Sequence, residues 1–156
     1  MTAATDAATD RDVVVVGGGA AGLSAALFVA RYGLDTLVFD RGPSAIRRSY
    51  LIENFLGFPG GVTPEEFLSL GRAHVRYEGA DVVEDGVVAV EVDDERFRVR
   101  TQDGRAVVAD AVVAASAYDG DYLPAGVDPA DCGERGRTDV DGLYVARWLS
   151  DGPHPV

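Results

Sequence analysis

The sequence predicts an α/β fold, with a parallel sheet built around a βαβ unit and extended by an antiparallel three-stranded meander. Three observations carry this prediction. Val13–Val16 is a β-branched run with no alternation, as expected of a strand covered on both faces. Good helix formers follow from Ala20 to Tyr32 and stop at Gly33, after which Leu34–Asp40 reads as a second strand. Farther on, Val87–Val92, Phe97–Thr101 and Ala106–Val108 alternate like half-exposed strands, with Asp103-Gly104 as a hairpin signal between the last two.

Each element can be placed in turn. Residues 1–11 are rich in Thr, Ala and Asp without an apolar period, and are expected to form a disordered leader, with order beginning at Asp12 or Val13. Val13 to Ala30 carries no charge over 18 residues, the lower length limit of a membrane span. The Gly17-Gly18-Gly19 triplet divides that run, and the leader is acidic where a secretory signal needs a basic flank. Buried core in a cytoplasmic protein is therefore expected. Arg41 to Val62 is punctuated by Gly and Pro and is long for a connection, which suggests a functional loop. Thr63, Pro64 and Glu66 then form a capping box that opens a helix running to about Tyr77. Ala111–Ala115 is again an unbroken apolar run and predicts re-entry into the buried sheet, with Gly142–Ala146 as one more strand. Residues 12–150 read as a single domain and 151–156 as a short tail.

The composition excludes several functions. All 14 cations are Arg and face 26 Asp plus Glu, giving a formal charge of −12. No basic footprint exists for nucleic acid or an anionic membrane. Abundant Asp, no Lys and Val in place of Ile look like a protein of a salt-accumulating halophile, kept hydrated by carboxylates; an ordinary acidic cytosolic protein is the alternative. The single cysteine, Cys132, excludes an intrachain disulfide, a Cys-x-x-Cys dithiol and thiol-ligated zinc, and no metal site is expected.

Gly17-Gly18-Gly19-Ala20-Ala21-Gly22 matches Gly-x-Gly-x-x-Gly, a pattern that gains weight from its position between a buried strand and a helix. Gly17 permits the tight turn, Gly19 lets a diphosphate approach the backbone, and Gly22 lets helix and strand pack closely. Ala20 and Ala21 open the helix, whose free N–H groups and positive dipole end would meet the diphosphate. Asp40, 23 residues after Gly17, would accept hydrogen bonds from a ribose diol and oppose a 2′-phosphate, an inference that the adjacent Arg41 weakens. This Rossmann-like unit alone does not separate FAD from NAD.

The segment Glu53-Asn54-Phe55-Leu56-Gly57-Phe58-Pro59-Gly60-Gly61, joined to the glycine turn and to residues 138–146, resembles the FAD domain of the thioredoxin reductase-like flavoproteins over most of residues 12–150. The resemblance implies a Rossmann-like FAD-binding domain, FAD as cofactor and FAD-dependent oxidoreductase activity. Gly17, Gly19, Gly22, Asp40 and Asn54 are the matching positions, Asn54 approaching the flavin. Val82 or Val83 would lie near the adenine, and Ala115-Ser116-Ala117 stands where the family has Ala-Thr-Gly.

Further departures shape the expectation. The family inserts a nicotinamide domain with its redox cysteine pair between the last two sheet strands; here the gap runs only from Tyr118 to Thr138. Arg147-Trp148 replaces the family's Gly-Asp, whose Asp meets the ribityl chain, and the tail is too short and proline-broken for the helix expected next. The resemblance thus implies an oxidoreductase without dithiol or nicotinamide domain, taking electrons from NAD(P)H or another external small-molecule donor. The alternative is a non-catalytic or degenerate FAD or adenine-nucleotide module needing a partner chain, or a second copy, over the flavin end; an NAD-binding domain without flavin is a third reading. No catalytic side chain nominates itself. Asn54 could equally be a turn residue. Arg47 and Arg48 could meet the pyrophosphate, the reading preferred, or pair with carboxylates. His74 shares an apolar spacing with Phe67, Leu70 and Tyr77, which favours a helix-face role over a base.

Overall fold

The computed structural model describes residues 8–116 and 120–146. Most of the expected leader, Ala117, Tyr118, the Arg147-Trp148 pair and the tail 151–156 lie outside the described residues. Among the described residues, seven strands and two α-helices follow in the order β1 (Thr9–Val16), α1 (Ala20–Arg31), β2 (Thr36–Asp40), α2 (Pro64–Tyr77), β3 (Asp81–Glu84), β4 (Val87–Asp93), β5 (Arg96–Thr101), β6 (Ala106–Ala114) and β7 (Leu143–Val145). They form one sheet with β3-β2-β1-β6 parallel at its centre. Beyond β6 the sheet forks. The first half of β6 pairs antiparallel with β5, which pairs with β4, and its last residues, Val112–Ala114, pair parallel with β7.

Alternation along the strands separates two cores. Val13, Val15 and Val38 face the helices and meet Leu23, Ala26 and Ala30 of α1 with Leu68 and Val75 of α2. Val14, Val16, Leu37, Phe39 and Val112 face the other side, where Val90, Phe97 and Val99 of the meander and Tyr122 pack on them. The uncharged run from Val13 to Ala30 is accordingly a central strand, a turn and a helix. Among the described residues no helix is long and apolar enough to cross a membrane.

Two sequence expectations need correction. Strand β1 starts at Thr9, so residues 9–11 of the expected leader belong to the sheet, in register with Val107, Val108 and Ala109. Their polarity hides the strand, because its side chains are satisfied by distant partners. Arg11 pairs with Asp35 at 2.8 Å and Asp81 at 2.7 Å, and Asp10 with Arg96 at 2.7 Å. The third meander strand and the re-entering run Ala111–Ala115 are likewise one continuous strand, β6. Asp110 interrupts the apolar pattern without breaking the ladder, since it faces outward and meets Arg96 Nε at 2.6 Å.

Helix α2 begins as the capping box requires, with Thr63 Oγ1 accepting from the Glu66 amide at 3.2 Å. Its buried stripe is Pro64, Leu68 and Val75, whereas Leu70, His74 and Tyr77 of the alternative stripe are exposed. Gly71 sets this rotation: a β-carbon there would stand 3.0 Å from Leu23 Cδ1, so α1 and α2 meet along that line.

Candidate functional site

A cleft of about 390 Å³ opens at the carboxyl ends of β1, β2 and β6, over the start of α1. Ligands of open parallel sheets bind at this edge. The turn at its base depends on backbone approaches that exclude side chains. Gly17 has φ +112°, donates to the Phe39 carbonyl at 2.8 Å, and would place a β-carbon 2.8 Å from the Ala115 carbonyl oxygen. A β-carbon on Gly22 would stand 1.8 Å from the Gly17 carbonyl oxygen. Gly19 caps α1 without a side chain, and the first turn holds no acid, so the positive end of the helix faces the cleft.

Asp40 ends β2 on the cleft wall, 5% exposed. Its Oδ1 accepts from the Gly42 amide at 2.9 Å and its Oδ2 from the Arg72 guanidinium of α2. Asp85 stands at the β3–β4 junction, where it lines the cleft with Gly86 and Val87. Burial pushes its carboxyl up, but hydrogen bonds from Thr101, Arg105 and the amides of Asp103 and Gly86 outweigh that and hold it below the usual carboxylate range. The Gly86 amide donates at 2.8 Å and Arg105 Nη1 at 2.5 Å, so Asp85 ties the floor of the cleft to the β5–β6 hairpin. On the opposite wall, the Ser116 and Tyr122 hydroxyls are hydrogen-bonded at 2.7 Å.

Gly17, Gly19, Ala20, Ala21, Asp40, Arg41, Ala115 and Ser116 all line this cleft, and Gly22 packs directly behind it. Arg48, Asn54 and Val83 are not among its lining residues. For Asn54 the cause is the ladder between Ile52 and Val62, with amide-to-carbonyl distances of 2.9 and 3.0 Å, which closes residues 53–61 into a separate loop. Phe55 of that loop stacks edge-on against Phe67 of α2 at 4.8 Å, and Asn54 is exposed. Val83 packs against the core on the meander side, and Arg48 is exposed at the end of the short 3-10 turn Ala45–Arg48. Arg47 takes the carboxylate-pairing option, 3.5 Å from Glu65.

Sequence reasoning missed five residues that line the cleft, Ser44, Ile46 and Ser49 from the loop after β2 with Asp85 and Tyr122, and it missed Arg72, which reaches the cleft only through Asp40. The Asp85-Gly86 step was a readable signal, since such a pair at a strand end marks a sharp turn. Arg72 carried none: its partner is 32 residues away and on another element.

A parallel βαβ unit, a glycine turn at a helix start and an acid ending the second strand define a dinucleotide-binding domain of Rossmann type. The family model for pyridine nucleotide-disulphide oxidoreductases matches residues 11–120, and the chain belongs to that family. It is 35% identical over 107 residues to thioredoxin reductase of Aquifex aeolicus, covering 67% of this chain and 33% of that protein. Thioredoxin reductase of Streptomyces coelicolor is 36% identical over 106 residues, covering 66% and 33%. The solved structure of a thioredoxin reductase from Gloeobacter violaceus superposes with a TM-score of 0.65 at 31% identity, over 69% of this chain and 34% of that one. The chain thus spans about a third of the length of these relatives. It is a thioredoxin reductase-like FAD-binding domain, and FAD is the cofactor of its family. The residues present fit the adenosine diphosphate half of FAD. At the turn, added β-carbons would collide with neighbouring atoms, and Ser44 Oγ stands 3.1 Å from where a Gly19 β-carbon would be.

Proposed function

We propose that the chain acts as an FAD-dependent oxidoreductase of the thioredoxin reductase-like type, working without an internal dithiol. The supporting observation is the cleft itself, where a helix start with no side-chain cap, close-packed glycines and Asp40 converge. In this reading the amides at the start of α1 hold the diphosphate, Asp40 takes the ribose diol, and Ser116 with Tyr122 bounds the opposite wall. Bound FAD supplies the electron-transfer chemistry. Cys132 is the single cysteine of the sequence, so no cysteine pair within these residues can relay electrons. The electrons then come from NAD(P)H or another small-molecule donor meeting the flavin directly, in the cytoplasm.

Purification in molar salt tests this: the protein should be yellow, with about one flavin per chain, and NADH should bleach the flavin absorbance. Colourless protein that takes up no added FAD would overturn the proposal. A second reading, a non-catalytic FAD module completed by a partner chain, draws on the exposed apolar side chains Phe28 (63% exposed), Tyr32 (85%) and Tyr77 (86%). Bound flavin that no donor bleaches would select it.

A further inference from the structure

We propose that Arg72 is a positioning residue for the adenosine ribose, clamping Asp40 from behind so that its remaining lone pairs face the cleft. The proposal rests on the reading of the cleft as an adenosine diphosphate site. Asp40 is held from three directions. The Gly42 amide takes Oδ1 at 2.9 Å, and the Arg72 guanidinium takes Oδ2. Gly18 closes the third side, for a β-carbon there would stand 2.5 Å from Asp40 Cβ, Cγ and Oδ2. Each carboxylate oxygen has about two acceptor sites, so one on each remains for a ligand.

Arg72 itself is not among the residues lining the cleft, so its influence on a ligand passes through Asp40. Two effects follow from the clamp. The carboxylate loses no rotamer freedom when a ribose diol binds, which raises affinity by preorganisation. The guanidinium also offsets a negative charge that the ligand's diphosphate would otherwise meet bare. A 2′-phosphate would reach Asp40 before Arg72, so the pair favours the unsubstituted diol.

Calorimetric titration of the full chain in molar salt with ADP and with 2′-deoxy-ADP tests this. In the unsubstituted protein, loss of the 2′-hydroxyl should weaken binding about tenfold or more, the worth of a hydrogen bond to a charged acceptor. In Arg72→Met, ADP should bind more weakly and the two ligands should differ by no more than about twofold. A purely structural Arg72 would lower the melting temperature and leave the ratio between the ligands unchanged, and an unchanged ratio overturns the proposal. Should Arg72→Met fail to fold, Arg72→Lys takes its place, keeping the charge but losing the planar fork that fixes the carboxylate. A reduced ratio between the ligands supports the clamp, and an unchanged ratio overturns it. Absence of ADP binding to the unsubstituted protein would instead remove the adenosine diphosphate reading of the cleft, and this inference with it.

Discussion

The segment Gly17–Gly22, which turns out of β1 and opens α1, and the irregular loop from Glu53 to Gly61 are both rich in glycine, yet their glycines do different work. In the turn, added β-carbons at Gly17, Gly18 and Gly22 would overlap the Ala115 carbonyl, the Asp40 side chain and the Gly17 carbonyl. In the loop, Gly57 and Gly60 have φ of +99° and +87° but nothing within 4 Å of where a β-carbon would be. The turn uses glycine for closeness, whereas Gly57 and Gly60 use it for direction alone; Gly61, at the base of the loop, combines the two, with φ +91° and a β-carbon position 2.8 Å from Leu51 Cγ. A ligand-binding backbone therefore differs from a tight bend by what surrounds it, which a pattern of glycines alone does not reveal.

Substitution is the direct way to break that contrast. Gly22→Ala should have the largest effect, about 3 kcal/mol of destabilisation from backbone overlap, together with loss of ADP binding. Thermal unfolding should show it as a fall of roughly 6–12 °C. Asp85→Asn should come next, at about 1–3 kcal/mol, because it removes the charge that organises the cleft floor. Its pH dependence sharpens the comparison. The folded pKa lies below the unfolded value of about 3.9, so the stabilisation is complete above that value and is lost as pH falls through the folded pKa. Urea midpoints of the unsubstituted protein and of Asp85→Asn should therefore differ at pH 6 and converge in acid below pH 4.

Gly57→Ala should cost only about 1 kcal/mol, the strain of a left-handed backbone, with ADP affinity unchanged. A melting temperature as low as that of Gly22→Ala would erase the distinction between the two segments. The smallest effect belongs to the meander surface, where Arg100 pairs with Glu91 at 2.6 Å and both are half exposed. Arg100→Ala should change stability by about 0.5 kcal/mol or less in the same melts.

What could be read from the sequence follows a physical division. Local signals were legible: the non-alternating valines of β1, the Thr63 cap of α2, and the glycine turn followed by Asp40. Features fixed by distant partners were not. Thr9–Arg11 reads as a polar leader until Asp35, Asp81 and Arg96 are seen beside it. Asp110 reads as a break in a strand that in fact continues, and the Arg72 clamp joins residues no periodicity connects. The resemblance assigns Asn54 to the flavin, whereas the packing of its loop against α2, through the Ile52–Val62 ladder and the Phe55–Phe67 contact, joins residues that no local signal connects.

The central position of β1 also has a consequence during synthesis. Val13–Val16 finds its second partner at Ala111–Ala114, 98 residues later. At about 5–20 residues per second a ribosome needs roughly 5–20 s to deliver that partner. Throughout that interval the nascent chain carries four valines with one side of the strand unpaired, a template for aggregation that a holding chaperone would have to cover. Completion of the cleft is thus tied to the late emergence of a single strand, and yield in a cell should depend on how well that interval is protected.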